Sequence, residues 1–174
     1  MQRSKNPSLC SETLTDYDKQ SNCSLSQTAV KALVISGSAG VGKTELAKRY
    51  SNVLDLDCSA FSKSPDWPRN YIEAINENLY KYDYILVFTK LQDLDLDYVF
   101  CFPSKDAIPE YEGRLAKRGG MWVDVARSVY SEYDKHLKTA QGLGKDIFFL
   151  GKGETLESFL LQNQDKYPRL IARE

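Results

Sequence analysis

From position 32 onward, apolar residues follow two alternating rhythms. Short runs of consecutive apolar residues are separated by stretches in which apolar positions recur three and four residues apart. The first rhythm suits a strand buried on both faces, and the second suits an amphipathic helix. The runs predict strands over 33–36, 53–57, 84–88, 98–102 and 147–150, the fourth of them stopped by Pro103. Helices are predicted from 45 to about 51, with Leu46, Ala47 and Tyr50 on one face, and over 69–81, with Ile72, Ile75 and Leu79. Another spans 106–118, striped by Ile108, Tyr111 and Leu115 and ended by Gly119 and Gly120. A longer helix then carries Trp122, Val125, Ala126, Val129, Tyr133 and Leu137 along one side, and a last one carries Leu156, Phe159 and Leu160. Apolar strands alternating with helices predict an α/β fold, a parallel sheet covered on both faces. Ligands of such sheets bind beyond the carboxyl ends of the strands.

Residues 1–28 break this pattern. They are rich in Ser, Thr, Asn, Gln, Asp and Lys and show no periodicity, which predicts a flexible extension, either without a role or a docking segment for a partner. The domain is expected over 29–165, with a tail over 166–174. At 174 residues the chain suits one domain. Its net charge of -1 and pI of about 5.9 give no overall field to attract nucleic acid or anionic membrane, so any anion must be bound locally. Binding of nucleic acid is not expected on charge, although a polynucleotide end remains among the possible acceptors. Cys10, Cys23, Cys58 and Cys101 form no C-x-x-C pair, and His136 stands without a metal-binding cluster, so reduced thiols in a cytoplasmic protein are expected. No stretch approaches the roughly 20 apolar residues of a membrane span, nor does the N-terminus carry a leader-like apolar core.

The first strand runs into Gly37-Ser38-Ala39-Gly40-Val41-Gly42-Lys43-Thr44, which satisfies G-x-x-x-x-G-K-[ST] in full. This is the P-loop pattern. Its glycines let the backbone curl so that successive N–H groups point inward at phosphate, and the helix that follows adds its dipole. Lys43 is expected to reach the terminal phosphates and the Thr44 hydroxyl to ligate Mg2+, with ATP as the donor. The guanine-reading N/T-K-x-D motif is missing.

Other chemistry must come from elsewhere. The strand "YILVFTK" ends in Thr89 and Lys90 without the acid that motor-type ATPases place there. The second strand instead carries Asp55 and Asp57 to its carboxyl end. Asp57 is the stronger candidate to orient an acceptor, take its proton or hold a metal-bound water; the alternative is that these acids cap the loop. Arg114, Lys117 and Arg118 fall at i, i+3 and i+4, and Arg114 and Arg118 are favoured for stabilising a transferring phosphoryl group because guanidinium forks match phosphate. They serve equally as an ordinary solvated helix face. Trp67 and Arg69 could form an acceptor site, or Trp67 could tuck into the core. Gly151, Lys152 and Gly153 could pass over the base of a bound nucleotide.

Together, "GSAGVGKTELAK", "DLDCSAFS", "WPRNYIEAI", "YILVFT", "CFPSKDAIPEYEGRLAKRGG" and "IFFLGKGETLESFL" resemble the small P-loop proteins of many bacteriophages, the adenylate kinase-like or nucleoside monophosphate kinase-like family. The resemblance covers roughly 31–161. It implies a P-loop NTPase fold, nucleotide-kinase-like, with a five-stranded parallel sheet of order 2-3-1-4-5 and a lid near 114–120. It also implies transfer of the ATP γ-phosphoryl group to a (deoxy)nucleoside monophosphate. The chain departs from adenylate kinases in lacking a long lid insertion and an evident acceptor-site arginine pair. Two alternatives stand beside that activity: a kinase acting on a nucleoside or polynucleotide hydroxyl, and a nucleotide-dependent binding protein or slow ATPase.

Overall fold

The computed structural model describes residues 30–88 and 97–174. The extension predicted over 1–28, and Thr89 and Lys90 beyond the third strand, lie outside the described residues. Five strands form one all-parallel sheet: β1 (Leu33–Gly37), β2 (Val53–Asp55), β3 (Tyr84–Phe88), β4 (Val99–Pro103) and β5 (Ile147–Leu150). Their order is β2-β3-β1-β4-β5, as the resemblance implies. The six helices of the described residues are α1 (Lys43–Arg49), α2 (Arg69–Asn78), α3 (Ile108–Ala116), α4 (Met121–Ser131), α5 (Tyr133–Gly142) and α6 (Leu156–Gln162).

The central strands are continuous apolar runs because both their faces are covered. Val34, Ile35, Ile85, Leu86, Val87, Phe100 and Cys101 are essentially inaccessible. β1 and β3 pair in register from Leu33↔Tyr84 to Gly37↔Phe88, which brings their carboxyl ends level. The step from β1 to β2 runs toward one edge of the sheet and the step from β4 to β5 toward the other. With right-handed crossovers these connections lie on opposite faces. The chain therefore diverges beyond the adjacent ends of β1 and β4, the place where an open parallel sheet leaves a crevice.

Three elements differ from the sequence expectation. β2 ends at Asp55 rather than continuing to 57, because Asp57 caps a short 3-10 turn, Cys58–Ala60, by accepting the Ser59 amide at 2.9 Å. The helix expected over 106–118 begins as a separate 3-10 turn, Lys105–Ala107, before α3. The single long helix after Gly120 is two, broken at Glu132. Tyr130 and Tyr133, on either side of the break, donate to different carbonyls, Ala39 at 2.7 Å and Pro103 at 2.6 Å.

Residues 166–174, set apart in the sequence as a tail, are packed on the body. The buried Asn52 side chain donates to Arg169 O at 2.8 Å and accepts from Ile171 N at 2.9 Å, and Leu170 is buried. Among the described residues no helix is long and apolar enough to cross a membrane.

Candidate functional site

Residues 37–44 curl between β1 and α1. Gly40 and Gly42 hold φ of 86° and 99°, values that side chains other than glycine rarely adopt. Gly37 is required for a different reason. A Cβ there would lie 3.1 Å from Val41 Cγ2 and 3.3 Å from Lys43 Cδ, because the lysine stem folds back over it. The loop is braced by neighbouring elements. Ser38 N donates to Cys101 O at 3.1 Å, Tyr130 on α4 to Ala39 O, and Leu156 N at the start of α6 to Val41 O at 2.9 Å. These bonds brace residues 37–44 against β4, α4 and the start of α6.

Lys43 and Thr44 leave this loop toward the end of β2. The Lys43 ammonium donates to Gly37 O at 2.6 Å and Ser38 O at 3.0 Å, and lies 5.8 Å from the Phe88 ring centre. Burial lowers its pKa from 10.5 to about 8; Asp55 and, more weakly, Asp57 pull it back up, and Arg118 lowers it. The Thr44 hydroxyl donates to Asp55 Oδ2 at 2.7 Å. The two acids therefore have different partners. Asp55, read as acceptor-binding, accepts from Thr44, whereas Asp57, read as orienting an acceptor, taking its proton or holding a metal-bound water, accepts from the Ser59 amide; both line the adjoining cavity.

That cavity, of about 230 Å³, is bounded by the glycine loop, Lys43, Thr44, Asp55, Asp57 and a wall that includes Phe88, Arg118 and Trp122. Arg118 lies over the Trp122 ring, 5.1 Å from its centre. Sequence reasoning counted Trp122 only among the apolar stripe of its helix. The i, i+4 spacing from Arg118 was the available signal, since it places a cation over an aromatic face.

The remaining expectations divide. Arg114 and Arg118 share an edge in sequence, yet Arg114 turns away from the cavity. It donates to Glu154 O at 2.8 Å and Glu110 Oε1 at 2.5 Å and stacks on Tyr111, tying α3 to the loop after β5. Lys117 is exposed. Trp67 packs 5.5 Å from Tyr71, and with Arg69 lines a separate depression that shares no residue with the cavity beside Lys43. Gly151 and Gly153 belong to the loop that caps α6 and touches residues 37–44. Gly151 N is held by Glu154 Oε2 at 2.6 Å, Gly153 N by Glu110 Oε2 at 2.9 Å, and Lys152 pairs with Asp106 at 3.8 Å. Glu110, Tyr111 and Glu154, which fasten this loop to α3, were not anticipated.

A larger opening of about 710 Å³ lies at the other end of the sheet, among Lys31, Asp97, Tyr98, Asp146 and Tyr167, far from the glycine loop. It holds none of the residues that the motif singles out. Among the described residues no group of three or more His, Cys, Asp or Glu gathers into a metal site. Magnesium carried by a nucleotide needs no such cage, since it takes one or two protein ligands beside phosphate oxygens and water. Thr44 and Asp55 are oxygen donors of that kind. No known protein-family pattern matches the chain, and no curated protein is detectably similar to it in sequence.

Proposed function

We propose that the chain is an ATP-dependent phosphotransferase of the P-loop NTPase class, similar to nucleotide kinases, that binds its donor as the magnesium complex on residues 37–44. The observation that carries this reading is the joint placement of Lys43, Thr44 and Asp55: a half-buried cation and a hydroxyl-carboxylate pair at the open end of one braced glycine loop. The loop amides and Lys43 bind the triphosphate oxygens. Thr44 and Asp55 would hold the metal, and magnesium there would neutralise phosphate charge during transfer.

Arg118 lines the same cavity as Lys43 and supplies the second positive charge as negative charge spreads over the transferring oxygens. Arg114 does not share this role; it holds α3 and the loop after β5 together, and Arg118 follows in the turn that ends α3. Gly151 and Lys152 lie on the loop beside the far side of the glycine curl, where the nucleoside part of the donor would extend. Calorimetric titration of the purified chain with ATP and magnesium tests the reading, followed by measurement of ADP release with candidate acceptors. Saturable heat together with acceptor-stimulated ADP release is expected. Heat with acceptor-independent release would make the protein an ATPase, and no heat at low salt would remove the donor site.

A further inference from the structure

The cavity beyond Lys43 has a composition that selects among acceptors. Its described lining has an apolar, partly aromatic wall of Leu56, Val87, Phe88, Trp122 and Val125, and a charged set of Lys43, Asp55, Asp57 and Arg118. Asp55 is taken up by Thr44, and Lys43 by the loop that would hold the donor. Asp57 and Arg118 are the charged groups left for an acceptor. A phosphate monoester carries about -1.5 to -2 charges at neutral pH. Placed here, it would meet the Asp57 carboxylate and donor phosphates only partly offset by magnesium and Lys43, opposed by one further guanidinium among the described residues. Arg69, the further cation offered by the sequence, lines the separate depression.

An uncharged alcohol meets no such repulsion. It also uses the carboxylate, because a hydroxyl must lose its proton as it bonds to phosphorus, whereas a phosphate acceptor has none to lose. Asp57 is placed for this. Its Oδ1 is fixed by the Ser59 amide, which orients the carboxylate at the cavity edge.

We infer that the acceptor is an uncharged hydroxyl compound of the nucleoside class, its ring on the Phe88–Trp122 wall and its hydroxyl at Asp57. This rests on the phosphotransferase reading above. The hydroxyl oxygen forms a bond to the γ-phosphorus, and the bond from that phosphorus to the β,γ-bridging oxygen breaks, its electron pair leaving on ADP. The hydroxyl proton passes to the Asp57 carboxylate and then to solvent. The products are ADP and a phosphate monoester.

The test uses the full chain with ATP and magnesium, offered ribonucleosides and deoxynucleosides or their 5′-monophosphates at equal concentration. Products are separated by chromatography, and ATP-binding heat is measured on the same preparations. At least one nucleoside is expected to yield its monophosphate while the monophosphates yield no diphosphate. Asp57→Asn is expected to lower that rate about 100-fold or more with ATP affinity essentially unchanged. Asparagine accepts the Ser59 amide as aspartate does, so the turn is kept. Diphosphate formation with inert nucleosides, wild-type turnover in Asp57→Asn, or ATP binding without product from any nucleoside each overturns the acceptor assignment. Absence of ATP heat overturns the donor reading itself, and the acceptor assignment falls with it.

Discussion

Replacing Lys43 by methionine should abolish donor binding and at the same time make the protein more stable. Lys43 sits at the open end of a braced loop, its ammonium against the carbonyls of Gly37 and Ser38 and its pKa brought down from 10.5 to about 8 by burial. At about 1.4 kcal/mol per tenfold change in proton affinity, keeping that proton costs the folded state about 3 kcal/mol. This is an upper bound, because the side chain keeps some contact with the cavity and its water. The folded pKa lies below the unfolded one. Below pH 8 both states are protonated and the folded state bears the whole penalty; between pH 8 and 10.5 the penalty disappears as the folded protein releases the proton. Methionine keeps an unbranched stem over Gly37 without the charge. Urea denaturation should therefore show Lys43→Met more stable by about 1–3 kcal/mol at pH 7, with the gain shrinking at pH 9.5. The same variant should give no heat with ATP and magnesium. A variant less stable than wild type at pH 7, or one that still binds ATP, would refute the placement of a costly, ligand-directed charge.

Asp55→Asn should raise the magnesium concentration needed for half-maximal ATP binding by about 10–100-fold, as loss of a metal's supporting carboxylate does, with magnesium-free ATP binding unchanged by calorimetry. Arg118→Ala should lower turnover about 100-fold or more with little change in melting temperature, as loss of a charge that acts on the transition state does. Arg114→Ala should instead lower the melting temperature, costing about 1–3 kcal/mol for two fixed hydrogen bonds from a charged donor. Gly40→Ala puts a side chain at a φ of 86° and 3.3 Å from Leu115 Cγ, and should cost about 1–3 kcal/mol. Gly113→Ala, whose Cβ would meet nothing within 4 Å, should gain about 0.5–1 kcal/mol in the same denaturation assay.

Much of the sheet was legible because its signal is local. A run such as 84–88 is apolar at every position only when both faces are covered, and the glycines of 37–44 mark a curl that neighbouring residues cannot replace. The two acids show where local signals stop. Asp55 and Asp57 share a strand face by alternation, and the sequence offers no ground for giving one to Thr44 and the other to Ser59; that follows from where β2 ends against β3. Arg114 and Arg118 pose the same problem on the helix expected over 106–118, since a four-residue spacing puts both on one edge. The partners that part them, Glu154 and Trp122, lie forty residues and four residues away. Trp67, which the sequence left open between an acceptor site and the core, packs against Tyr71.

By itself the sequence determined the strand runs, most helices, the sharp curl at 37–44 and the identity of its lysine and threonine, because backbone sterics and hydrophobic periodicity act within a few residues. Tertiary structure decided which acid meets Thr44, which arginine faces the cavity, where the helix after Gly120 breaks and that residues 166–174 pack on Asn52. Each of those outcomes is a choice among chemically equivalent partners, settled by which side chains the sheet order brings within hydrogen-bond reach.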